Sequence, residues 1–203
     1  MAVDSPHTFH PESFTYEELA ENISMAASAF SQLGVEPDEV VALFAENSPR
    51  WLIADQGLMR IGATDSVRGA TAPPSELRYI LEDSNAVGLI VQNSYVWDKL
   101  SLNDDQINNL KFVLQLEGKA CEGVFEWESF LQKGLNTEKV SKREKIIQKQ
   151  PTRIATILYT SGTTGIPKGI VRDIGGHIVA LKWTMKNIYN IKEDDIWLSL
   201  IHI

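Results

Sequence analysis

Residues 154–169 read Ile154-Ala155-Thr156-Ile157-Leu158-Tyr159-Thr160-Ser161-Gly162-Thr163-Thr164-Gly165-Ile166-Pro167-Lys168-Gly169, an apolar run that passes directly into a loop of hydroxyls and glycines. The run is short and rich in β-branched and aromatic residues, which predicts a strand. The loop then lies at the carboxyl end of that strand, where ligands of open α/β sheets gather. Gly162 and Gly165 lack a Cβ, so they reach positive φ and let backbone N–H groups close on an anion. Ser161, Thr163 and Thr164 add hydroxyl donors, Pro167 fixes one φ angle, and Lys168 supplies a compact countercharge. These properties predict a phosphate cradle at a strand end. The P-loop pattern G-x-x-x-x-G-K-S/T does not fit. Counting from Gly162, Pro167 stands at the second glycine, and Gly169 stands where a Ser or Thr would hold magnesium. The plain alternative is a polar, solvent-facing turn, which leaves the lysine and three hydroxyls without a purpose.

Working outward, Gly169-Ile170-Val171 is placed to return as the second arm of a hairpin, because only the loop separates it from the incoming strand. A helix is expected over 176–189 with Val179, Trp183 and Ile188 in the core, and a last strand over Ile196 to Leu200. Upstream, Thr15 and Glu18 fit a capping box, and Leu19, Ile23, Ala26, Phe30 and Leu33 recur at helical spacing up to Gly34. Val40 to Phe44 is an unbroken apolar run, the mark of a strand buried on both faces. Ser48 and Pro49 open a second helix with Trp51, Leu52, Leu58 and Met59 on its stripe, closed by Gly62. Strand-like segments follow at 63–67, 87–91 and 112–114, with a short helix marked by Leu77, Ile80 and Leu81 after Pro73-Pro74. Strand and helix alternate, so the expected class is α/β, a mostly parallel sheet with flanking helices.

The chain has 203 residues, 43% of them hydrophobic, enough for a real core. Its net charge of −8 opposes binding to nucleic acid or to an anionic membrane surface. No run approaches the length of a membrane span, and Met1 to Phe14 has no apolar targeting segment. A single cysteine, Cys121, excludes an internal disulfide. The expectation is a cytoplasmic or plastid-soluble protein. His7 and His10 lie three apart between Pro6 and Pro11 and read as loop residues, because no carboxylate or thiol completes a metal set. The charge-rich stretch 134–151 reads as a solvated helix or linker.

Thr160 to Gly169 resembles, almost letter for letter, the signature loop of the acyl-adenylate-forming enzymes, the AMP-binding family of acyl-CoA synthetases, luciferases and peptide-synthetase adenylation domains. Phe14-Thr15-Tyr16 with Leu19 is similar to the opening helix of that family, and Ala45-Glu46-Asn47-Ser48-Pro49-Arg50-Trp51 to its first strand-to-helix turn. Val67-Arg68-Gly69 and Glu76-Leu77-Arg78-Tyr79-Ile80 resemble the long-chain acyl-CoA and acyl-carrier-protein synthetases, so residues 1–159 speak for a fatty acyl branch. Val171-Arg172-Asp173, Gly175-Gly176-His177 and Ala180-Leu181-Lys182-Trp183 resemble propionyl- and acetyl-CoA synthetases instead, across residues 169–197. A divergent lineage and a chimera joined at the shared loop both fit this mosaic. Leu198 to Ile203 matches neither branch, which predicts a truncated or artefactual end.

The resemblance implies a partial adenylation domain over 1–203, without the later acyl pocket, the acidic magnesium ligand, the ribose-binding aspartate or the small C-terminal domain of the family. It implies a carboxylate that attacks the α-phosphorus of ATP, with Mg2+ in attendance and CoA or an acyl carrier protein as the thiol acceptor. Thr160, Ser161, Gly162, Thr163, Thr164 and Gly165 would cradle the β- and γ-phosphates, and Lys168 would neutralise them as the one catalytic side chain. With the other groups missing, the expected outcome for this chain alone is no acyl-CoA synthesis.

Overall fold

The computed structural model describes residues 2–6, 11–135, 152–160, 165–192 and 195. Two three-residue strands, Val3–Ser5 (β1) and Glu12–Phe14 (β2), pair antiparallel, and the sequence does not announce them. Strands this short show no periodicity to read. His7 and His10 lie outside the described residues.

Tyr16–Gln32 (α1) begins with the expected capping box: the Glu18 N–H donates to the Thr15 hydroxyl at 3.2 Å, and the Thr15 N–H donates to Glu18 Oε2 at 2.8 Å. Pro49–Arg60 (α2) begins as expected too, with the Trp51 N–H donating to Ser48 Oγ at 3.1 Å and Pro49 in the first turn. Its deepest residues are Ile53, Ala54 and Leu58 rather than the whole expected stripe, since Trp51 and Met59 are only half-buried.

Seven strands, Val40–Phe44 (β3), Thr64–Arg68 (β4), Gly88–Val91 (β5), Val113–Gln115 (β6), Phe125–Glu126 (β7), Ile154–Thr160 (β8) and Lys168–Asp173 (β9), form one sheet in the order β7-β6-β5-β3-β4-β8-β9. Every neighbouring pair is parallel except β8 with β9, which close as an antiparallel hairpin. The chain steps one way from β3 to β4 through α2, then back across β3 to β5 through Pro74–Asp83 (α3). Right-handed crossovers in opposite directions put those helices on opposite faces. One core accordingly holds Ala26 and Phe30 of α1, Ile53 and Leu58 of α2 and Phe130 of Trp127–Lys133 (α6). The other holds Leu77 and Ile80 of α3 with Val96 and Leu100 of Ser94–Leu100 (α4); Asp104–Asn108 (α5) follows with no buried residue.

The helix expected over 176–189 runs from Ile174 to Asn187 (α7), but its expected burial is wrong. Val179, Trp183 and Ile188 are 69%, 60% and 63% exposed, and no residue of α7 is buried. The cause is position: α7 follows the outermost strand, β9, so no described layer lies over its apolar surface. The expected strand over Ile196 to Leu200 and the charge-rich stretch from 136 lie outside the described residues.

Two carboxyls meet inside the first core. Asp55 of α2 is 6% exposed and Asp65 of β4 is 1% exposed. Gln56 Nε2 donates to Asp55 Oδ2 at 2.7 Å, whereas no donor reaches either Asp65 oxygen in hydrogen-bond geometry. Burial pushes both groups above the ordinary carboxylate range, and the Asp55 charge raises Asp65 further. The folded chain therefore holds a proton that the unfolded chain releases above about pH 4, so stability falls as pH rises through that window. Asp65→Asn offers Asp55 an N–H donor in place of a second acid. Its expected gain is about 1–2 kcal/mol at pH 8 and close to nothing at pH 4. Urea denaturation at both pH values checks this, and an equal effect at the two would contradict it.

Candidate functional site

The site grows from the β8–β9 hairpin. β8 pairs with β4 on its parallel side, Asp65 opposite Thr156 and Val67 opposite Leu158, which brings its carboxyl end level with those of β3 and β4. On its other side it pairs with β9 up to Thr160 opposite Lys168. Residues 161–167 therefore span the gap between two paired residues, at the sheet edge where α/β ligands bind. Thr160 and Lys168 are both exposed there. Gly165 has φ of +84°, a left-handed conformation that costs a glycine nothing, and open space surrounds the place a Cβ would take. Ser161, Gly162, Thr163 and Thr164 lie outside the described residues.

Beside the hairpin a crevice of about 290 Å³ opens over the ends of β3, β4 and β8, lined by Glu46, Asn47, Trp51, Arg68, Gly69 and Tyr159 among others. Its polar groups are tied down. Glu46 Oε1 accepts from the Thr71 N–H at 3.3 Å and from its hydroxyl at 3.4 Å, and Arg68 Nε pairs with Glu76 Oε1 at 2.7 Å. A Cβ on Gly69 would stand 3.0 Å from Glu46 Oε1, so the loop after β4 packs closely against that carboxylate. The sequence marks Glu46, Arg68 and Gly69 only as points of family resemblance. That they share one crevice is set by the β3–β4 register, which places Phe44 opposite Arg68.

Charge is unevenly spread. Lys168, Arg172, Lys182, Lys186 and Lys192 stand with a single acid, Asp173, in the sequence between residues 165 and 192, and Glu193, Asp194 and Asp195 follow directly. Among the described residues no group of three or more His, Cys, Asp or Glu is arranged to hold a metal. No helix among them is long and apolar enough to cross a membrane.

The sequence profile of AMP-binding enzymes matches residues 2–203. Probable acyl-activating enzyme 16, chloroplastic, from Arabidopsis thaliana is 35% identical over 185 residues, covering 84% of this chain and 26% of that protein. A chloroplastic long-chain-fatty-acid–acyl-carrier-protein ligase from the same plant is 33% identical over 187 residues, covering 84% and 25%. Acetyl-coenzyme A synthetase from Pseudoalteromonas translucida is 30% identical over 205 residues, covering 93% and 31%. The chain thus spans about a quarter to a third of these relatives, and both branches read from its motifs are among them. In three dimensions it superposes on the crystal structure of anthranilate CoA ligase AuaEII in complex with anthranoyl-AMP with a TM-score of 0.74 at 22% identity, covering 87% of this chain and 33% of that one. Sequence profile, relatives and fold agree, and the chain belongs to the AMP-binding enzyme family.

Proposed function

We propose that residues 160–168 hold the β- and γ-phosphates of ATP, and that the chain is the leading part of the large domain of an acid–thiol ligase that activates a fatty acid as its acyl-adenylate. The observation that carries this reading is the hairpin itself, a seven-residue loop clamped between Thr160 and Lys168 at the carboxyl edge of a parallel sheet. Glycines at 162 and 165 let main-chain N–H groups face an anion, and hydroxyls at 160, 161, 163 and 164 add donors. Lys168 leaves the first paired position of β9, so its ammonium is tethered at the loop's exit. Charge that builds on departing pyrophosphate is stabilised best by donors already in place, which is the role assigned to this loop.

A fatty acyl substrate rests on likeness to the chloroplastic acyl-carrier-protein ligase, and that likeness also favours a plastid as the compartment. CoA or an acyl carrier protein would take the acyl group. Mg2+ would arrive with ATP. A noncatalytic nucleotide-binding module is the competing reading; acid-dependent pyrophosphate exchange by a longer protein that carries this chain would favour the ligase, and its absence there the module.

Titration of the 203-residue chain with Mg·ATP is expected to give saturable heat, and Lys168→Ala is expected to weaken that binding about tenfold, the loss of one charged contact. Absence of saturable binding, or identical affinities for the two proteins, rejects the assignment.

A further inference from the structure

We propose that Tyr159 and Asp83 form the anchor that fixes the phosphate loop, with Tyr159 a positioning residue that acts through both stems of the hairpin. The proposal rests on the reading of residues 160–168 as a triphosphate site. Tyr159 is the last residue of β8 before Thr160, and it is 6% exposed. Its Oη donates to Asp83 Oδ2 at 2.7 Å, across 76 residues of sequence. Tyr79 Oη donates to the other oxygen, Asp83 Oδ1, at 3.1 Å. One carboxylate thus receives two phenolic donors, the outer one from four residues earlier on the same helix face.

Asp83 ends α3, and an acid there opposes the negative end of the helix dipole. A residue placed against its local preference marks a site where something else holds it. Here the two phenols do so. The Tyr159 ring also reaches the returning strand. Gly169, its register partner in β9, lies so close that a Cβ would stand 3.2 Å from Tyr159 Cζ and 2.8 Å from Ile157 Cγ2. One side chain therefore belongs to the incoming stem, covers the outgoing stem beside Lys168, and ties both to the end of α3. Burial, followed by the Asp83 hydrogen bond and charge, pushes the phenol well above its ordinary range, so it remains a donor throughout the physiological span. Donors that must meet a developing charge work best when they need no rearrangement, and this anchor supplies that rigidity to the loop base.

The test compares the wild-type chain with Tyr159→Phe and Asp83→Asn by amide hydrogen exchange resolved along 154–173, by Mg·ATP titration and by thermal denaturation. Tyr159→Phe keeps the ring against Gly169 and removes only the hydroxyl. The expected result is about tenfold faster exchange in the stems flanking Thr160 and Lys168, with β3 and β5 unchanged. ATP affinity is expected to fall by a similar factor, and the double variant to be no worse than either single one. Exchange that is unchanged in the stems, or faster throughout the sheet, overturns the anchor. Additive losses in the double variant overturn it as well. Should the wild-type chain bind no ATP, the triphosphate reading falls, and stem exchange still decides whether the anchor exists.

Discussion

Phe30→Ala is expected to destabilise the chain by about 4 kcal/mol. Phe30 is fully buried at the centre of the first core. Its ring lies 4.7 Å from that of Phe130 and 5.7 Å from that of Phe112, both in tilted contacts. Those partners come from α6 and from the segment leading into β6, so the one ring joins α1 to two later parts of the chain. Truncation removes the transfer free energy of the ring and leaves a void that a sheet and two helices cannot collapse around. The aromatic contacts add about 0.5–1.5 kcal/mol beyond area. For a chain of this size the loss corresponds to a melting temperature lower by roughly 10 °C. Denaturation in urea of Phe30→Ala beside Phe30→Leu is the measurement. Leucine should recover much of the loss, and an alanine variant within about 1 kcal/mol of wild type would show that the core around Phe30 is loosely packed.

Arg50→Ala is expected to cost about 3 kcal/mol, through an unpaired acid rather than a cavity. Arg50 leaves the first turn of α2 with its side chain 9% exposed. Nε donates to Glu12 Oε1 at 2.9 Å, Nη2 pairs with the same oxygen at 2.8 Å and with Glu128 Oε1 at 3.0 Å, and Nη1 donates to the Leu116 carbonyl at 2.7 Å. The guanidinium also lies 6.0 Å from the centre of the Trp127 ring. It therefore joins the β1–β2 hairpin, the end of β6 and the start of α6. Removing it strands the mostly buried Glu12 and a buried carbonyl, whereas Glu128, 65% exposed, returns to water at little cost. Lysine cannot replace the fork of donors, so Arg50→Lys should recover only a minor part. Proteolysis followed by mass spectrometry provides a second readout, with early cleavage expected in β2, Glu12–Phe14. A hairpin that stays protected in the alanine variant would mean that Arg50 does not hold it.

The elements that carry the site are legible in the sequence because each has a local cause. The β8 run and the return through Gly169 to Val171 need nothing beyond neighbouring residues, and the Thr15 and Ser48 caps lie three residues from their partners. The segment between Gln92 and Leu135 is different. Its helices are short and β7 has two residues, so the hydrophobic periods that announce longer elements never complete. Burial of α7 was beyond local reading as well, since an apolar stripe shows what a helix can cover and not where the sheet ends. The Tyr159–Asp83 contact depends on a crossover that brings α3 back beside β8, and neither residue shows that proximity in its own neighbourhood. Asp65 carried a faint signal, an acid within a strand otherwise destined for the interior.

The pairing of β4 with β8 has a consequence for how the molecule is made. Thr64 reaches Ile154 across 90 residues, so on the ribosome β4 emerges long before the strand that seals its free side. At about 5–20 residues per second that interval lasts several seconds. During it the nascent chain exposes an open strand edge, and Asp65 has yet to be enclosed.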